Sequence, residues 1–148
     1  MGGLSEAIPH GALVGIDTVS FIYHIEAVPS YAQIVRPFFE LLEQGAFHGI
    51  TSVISLMEIA VRPLQLMLPE VADDYEVLLA NFPHLTVVGI DRRIARRAAE
   101  LRAQYRLRPA DSLHVATALE AGASHFVTND RAIERVTNLR VLVIDDFR

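Results

Sequence analysis

Residues 109–133 read PADSLHVATALEAGASHFVTNDRAI. Asp111 stands at the head of a helical pattern, Ser112–Ala121, and is well placed as its N-cap. Gly122 follows as the residue past the helix end, where φ > 0 is needed. Phe126–Thr128 is then a short apolar run without polar alternation, as a strand buried on both faces should be. Asp130 closes that run. A helix handing over to a buried strand in so few residues is the repeating unit of an α/β domain.

The same alternation extends outward. Candidate strands are Leu13–Ile16, Gly49–Thr51, Thr86–Val88, Phe126–Thr128 and Val141–Ile144. Candidate helices are Val19–Glu26, Ala32–Glu43, Val53–Val61, Val71–Asn81, Arg92–Arg106 and Ser112–Ala121. Pro29 and Pro63 are read as stopping the helices before them, Gly45 as a second post-helix glycine, and Asp91 as an N-cap. Strand, helix, strand in sequence predicts an α/β fold with a mainly parallel five-stranded sheet and helices on both faces. Residues 1–12, with two glycines near the start and Pro9 and Gly11, read as a flexible lead-in, and residues 13–148 as one domain.

Composition bounds the function. The 148 residues are 51% hydrophobic, enough for one sizeable core. No apolar run approaches the ~20 residues of a membrane span, and the start lacks a signal peptide's basic and apolar regions. A cytoplasmic protein is therefore expected. With no cysteine, disulfide, thiolate and Cys-zinc chemistry are excluded. Net charge is −5, yet charge is unevenly spread, and all 13 basic residues are arginine. Residues 91–108 hold seven arginines against Asp91 and Glu100 (+5), leaving six arginines against sixteen acids elsewhere (−10). That polarity suits a phosphate-binding rim beside an acidic site, and equally a solvated helix face.

Four acids stand out by context. Asp17 and Asp130 follow candidate strands, at the sheet end where α/β proteins gather ligands. Glu58 lies in a helix between Ile54 and Val61, and a carboxylate on an apolar face is costly unless paired or ligating. Asp111 would stay ionised at a helix N-terminus. Each has an ordinary explanation: caps for Asp17 and Asp111, a turn for Asp130, an ion pair with Arg62 or Arg92 for Glu58. Converged, the four would repel strongly, and hard oxygen donors of this kind suit Mg²⁺ or Mn²⁺.

These residues resemble a known family. Residues 109–133 look like the C-terminal half of a PIN domain of the VapC-like type, Val14–Tyr23 (VGIDTVSFIY) its first strand and helix, and Thr51–Pro63 (TSVISLMEIAVRP) its Glu-bearing segment. The resemblance spans roughly residues 13–146. It implies a Mg²⁺- or Mn²⁺-dependent ribonuclease in which Asp17, Glu58, Asp111 and Asp130 occupy the acidic positions. Thr128 then matches a hydroxyl position that holds a ligand or water, with Asn129 an outer candidate. It further implies an RNA substrate, a cognate antitoxin and a homodimer. The chain departs from the family in its longer lead-in and acidic balance.

The expected chemistry is metal-assisted hydrolysis of a phosphodiester, with the ion at Asp17 and Asp111 and with Glu58 and Asp130 completing the shell. No histidine is required. His114, one turn after Asp111, reads first as a helix-surface or core residue and second as one facing the site, and His125 reads as the entrance to a strand. In Arg92–Arg106, Ile94, Ala98, Leu101 and Tyr105 form the buried stripe, and Arg97, Arg102 and Arg108 are the candidate RNA contacts. Val53, Ile54, Leu64, Leu66, Met67 and Leu68 read first as ordinary core, and second as a dimer seam or a groove for an antitoxin helix. No G-x-G-x-x-G, G-x-x-x-x-G-K-[ST] or G-x-S-x-G occurs, and Val19 stands where a haloacid-dehalogenase-like phosphatase needs a second Asp. The alternative that keeps the fold is a PIN-like module that binds RNA or protein without cutting.

Overall fold

A computed structural model describes residues 2–148. Five strands, β1 (Leu13–Ile16), β2 (His48–Ser52), β3 (Leu85–Val88), β4 (His125–Thr128) and β5 (Arg140–Val143), form one sheet in the order β3-β2-β1-β4-β5, every pair parallel. The chain builds outward from β1 to β3 on one side, then returns to lay β4 and β5 on the other. The crevice where the order reverses therefore lies between β1 and β4, at their carboxyl ends.

Six helices flank the sheet: α1 (Thr18–Ile25), α2 (Ala32–Glu43), α3 (Ile54–Gln65), α4 (Pro69–Ala80), α5 (Arg92–Tyr105) and α6 (Pro109–Glu120). Successive strand residues point to opposite faces, so each face has its own core. Val14, Ile16 and Val127 join Phe21, Phe38, Phe39 and Leu42 on one side. Phe126 joins Ile94, Leu101, Val115 and Ala118 on the other. No helix among the described residues is long and apolar enough to cross a membrane.

Several local expectations are met. Gly45 and Gly122 adopt φ of +79° and +84° after their helices, and Asp91 caps α5 by accepting from the Ile94 N–H. Others are corrected. Pro63 does not stop α3, which runs on to Gln65 with Pro63 buried inside it. An interior proline removes one N–H donor and crowds the carbonyl four residues back, a cost that burial of Pro63 against the core offsets. The stop comes at Met67, whose φ is +61°, and at Pro69, the first residue of α4. Asp111 does not cap α6. Pro109 suits the first helical position, so the helix opens after Arg108 and Asp111 falls within its first turn. Ile144 leaves β5 and begins a 3₁₀ turn, Ile144–Phe147. The lead-in is packed rather than loose: a 3₁₀ turn at Ser5–Ala7 is flanked by Leu4 and Ile8, both buried in the first core.

The apolar zone around Pro63 is not core. Met67 is 84% exposed, and Val53, Leu64, Leu66 and Leu68 are exposed with it, while Ile54 is half-buried. Helix α3 buries the stripe Ser55, Ile59 and Pro63, which turns Met57, Val61 and Leu64 to solvent. An apolar run does not say which of its sides will find cover.

Gly15 sets the spacing of β1 and α6. A Cβ there would lie 2.5 Å from Phe126 Cδ1 and 2.7 Å from the Ala118 Cβ. Gly15→Ala is expected to destabilise the fold by about 1–3 kcal/mol through overpacking, read as a lower denaturation midpoint at unchanged m-value.

Candidate metal centre

Helix α1 starts directly after β1, so Asp17 is carried on the strand end and caps the helix. Its Oδ1 accepts from the Thr18 N–H at 2.8 Å. Its Oδ2 accepts from the Thr128 hydroxyl at 2.7 Å, across the β1–β4 seam. Thr128 is fully buried, and its oxygen in turn accepts from the Asp130 N–H at 3.1 Å. One hydroxyl thus positions two of the four acids. Asp130 also caps the following 3₁₀ turn, Arg131–Arg135, by accepting from the Ala132 N–H.

Glu58 reaches in from α3. The Thr18 hydroxyl donates to its Oε1 at 2.7 Å, and His114 Nε2 lies 2.7 Å from the same oxygen. Since the carboxylate only accepts, Nε2 is the donor. His114 is buried, sits 3.9 Å from Asp17 Oδ1 and leaves Nδ1 buried without a partner. Its neighbours correct the expectation of a mere surface or core histidine. Neither Arg62 nor Arg92 pairs with Glu58. Asp111, in the first turn of α6, accepts from Arg108 Nε at 3.0 Å, while Arg108 Nη2 donates to Asp130 at 2.9 Å.

Electrostatics follow from these partners. Burial pushes the Asp17 carboxyl above its usual range, and His114, Thr128 and Thr18 offset only part of that. Burial raises Asp111 too, with Arg108 again a partial offset. Glu58 feels burial as its largest single influence, but the hydrogen bonds from His114 and Thr18 outweigh it and hold the carboxyl below its ordinary value. Two carboxyls displaced upward beside a third that stays ionised make a site short of positive charge.

Asp17, Glu58, Asp111 and Asp130 line one open cleft of about 530 Å³ together with Arg108, Asn129, Arg131 and an apolar wall of Val19, Ile22 and Tyr23. Donor atoms of Asp17, Glu58 and His114 lie within 4.8 Å of one another. Carboxylate oxygens at that spacing, with upward-shifted acids among them, fit a hard divalent cation. Asn129 acts at the cleft edge: its Nδ2 donates to the Tyr23 hydroxyl, and its Oδ1 accepts from the Asp145 N–H, tying α1 to the C-terminal turn.

The structure does not bring every expected residue here. Arg97 is paired with Glu120, and Arg102 Nε donates to the Leu107 carbonyl at the end of α5; neither lines the cleft. Thr18 is a neighbour of these acids that had no expected role, and His114, expected first as a helix-surface or core residue, faces the site. The only sequence signal for them is adjacency, Thr18 to Asp17 and His114 one turn after Asp111.

Comparison with known proteins agrees with this architecture. No curated protein matches the chain. Among solved structures, it is similar to VapBC2 from Rickettsia felis bound to a promoter DNA fragment, with a TM-score of 0.69 at 20% identity over 88% of this chain and 98% of that one. It is also similar to DNA-bound VapBC from Salmonella typhimurium, with a TM-score of 0.68 at 24% identity over 90% and 98%. A toxin–antitoxin complex from Klebsiella pneumoniae gives 0.64 at 19% identity over 90% and 98%. At these identities the likeness is one of fold. The PIN domain family model matches residues 15–139, so the chain, built on a five-stranded parallel sheet with its acids at one crevice, belongs to the PIN domain family.

Proposed function

We propose that this protein is a Mg²⁺- or Mn²⁺-dependent endoribonuclease, the toxin of a toxin–antitoxin pair. Membership of the PIN domain family supports a phosphodiester hydrolase. One observation carries the finer reading: Asp17, Glu58, Asp111 and Asp130, from three separate regions of the chain, line a single cleft.

Asp17, Asp111 and Glu58 would hold the ion, with Asp130 at the rim. When bound, a divalent ion supplies a water of lowered pKa and neutralises charge on the scissile phosphodiester. The protein's own residues set the geometry. Thr128 and the Thr18 N–H lock the Asp17 carboxylate in one orientation. Thr18 and His114 do the same for Glu58, and their hydrogen bonds keep it ionised at neutral pH. Arg108, 76% exposed at the cleft, is the guanidinium best placed for an RNA phosphate. Arg97 and Arg102 lie outside the cleft lining. The apolar wall of Val19, Ile22 and Tyr23 offers a surface for a base or sugar beside the acids.

The exposed apolar residues of the α3–α4 hairpin, including Leu64, Met67, Val77 and Leu78, are the surface we assign to protein partners. The toxin–antitoxin complexes among its structural neighbours support an antitoxin partner. In its absence the same surface would pair two copies of this chain.

Three outcomes are expected. A structured RNA pool is cut in Mg²⁺ or Mn²⁺, and cleavage disappears in EDTA and in Asp111→Asn; folded, partner-free protein that binds RNA in EDTA and never cuts would instead mark a binding module. Thr128→Val, which frees the Asp17 carboxylate, weakens Mn²⁺ binding by about 10–100-fold in calorimetry. The protein alone runs as a dimer in light scattering, whereas Leu64→Glu combined with Met67→Glu runs as a monomer; an unchanged mass would remove this hairpin from the interface.

A further inference from the structure

The acids of the cleft divide into two groups. Asp17 and Glu58 cluster with His114. Asp111 and Asp130 are instead spanned by one side chain, with Arg108 Nε 3.0 Å from Asp111 Oδ2 and Nη2 2.9 Å from Asp130 Oδ2. We propose that Arg108 stands in the place of a second metal ion, so that the centre is mononuclear, its one divalent cation held by Asp17, Glu58 and Asp111.

The reach of Arg108 comes from the local backbone. It precedes Pro109 in extended conformation (φ −65°, ψ 155°), immediately before the first turn of α6. Asp111, three residues on, is thus within reach of its side chain, and Asp130 arrives from the end of β4. The side-on edge of a guanidinium offers two parallel N–H groups, and here each takes a different carboxylate. With Asp130 Oδ1 already accepting from the Ala132 N–H, a second ion at these two acids would compete with the guanidinium for Asp130 Oδ2. A second divalent ion beside Arg108 would also face like charge at short range. Arg131 lines the same cleft but pairs with Glu134 and Asp146, outside the cluster.

This inference rests on the metal-dependent reading above, and Mn²⁺ binding to the full chain separates the two. Calorimetry and electron paramagnetic resonance on the wild type should give one Mn²⁺ per chain with an isolated-ion spectrum. Arg108→Gln should take a second Mn²⁺ and show the spectrum of a spin-coupled pair. Arg131→Gln should remain at one. Arg108 is largely exposed, so the fold is expected to survive, and circular dichroism checks it. Two Mn²⁺ in the wild type, or one in folded Arg108→Gln, overturns the proposal and leaves the nuclease reading intact. A second ion gained by Arg131→Gln as well would overturn it too, reducing the effect to bulk charge. No Mn²⁺ binding by the wild type would remove the metal reading itself.

Discussion

Burial of carboxylates side by side at the β1–β4 crevice is the constraint around which this molecule is arranged. The sheet places Asp17 and Asp130 at neighbouring strand ends, and α3 and α6 deliver Glu58 and Asp111 to the same cleft. Packing holds them there against that cost. Asp17 bears the strongest conflict, since it is buried, lies close to Glu58, and keeps its carboxyl displaced upward despite two hydrogen bonds. A site built this way has stored a preference for cations before any arrives.

The surrounding polar groups divide the labour. Thr128 serves Asp17 and Asp130 together, so that one fully buried hydroxyl keeps register across the seam between two strands. Thr18 and His114 hold Glu58, which would otherwise swing freely from α3. Arg108 supplies charge where hydroxyls supply only direction. The contacts Thr128–Asp17, Thr18–Glu58, His114–Glu58 and Arg108–Asp130 join residues distant in sequence. The site consequently depends on the relative placement of α1, α3 and α6 as much as on its acids.

Opposite faces of α3 have opposite fates. Its Ser55–Ile59–Pro63 stripe is buried, and Glu58 turns toward the cleft, while Met57, Val61 and Leu64 remain open to water. A helix that carries an acid of the cleft and an uncovered apolar side couples the cleft to whatever covers that side. A partner seated on the α3–α4 hairpin would press directly on the element that positions Glu58.

Much of this was readable from the chain itself. The five strands, the six helices and the N-caps Asp17 and Asp91 follow from local pattern, because period, capping and turn chemistry are properties of neighbouring residues. The four acids were legible from type and context, through their positions after strands or on an apolar helix face. What the chain did not reveal were relations between its distant parts. A local miss was Asp111, which falls inside α6 because Pro109 opens the helix early. That His114 meets Glu58 and Thr18, and that Arg108 spans Asp111 and Asp130 while Arg97 and Arg102 face elsewhere, is decided by the crossing of α3, α5 and α6 over the sheet. Hydrogen bonds and ion pairs act over a few ångströms, and only the tertiary structure brings residues fifty or a hundred positions apart within that range.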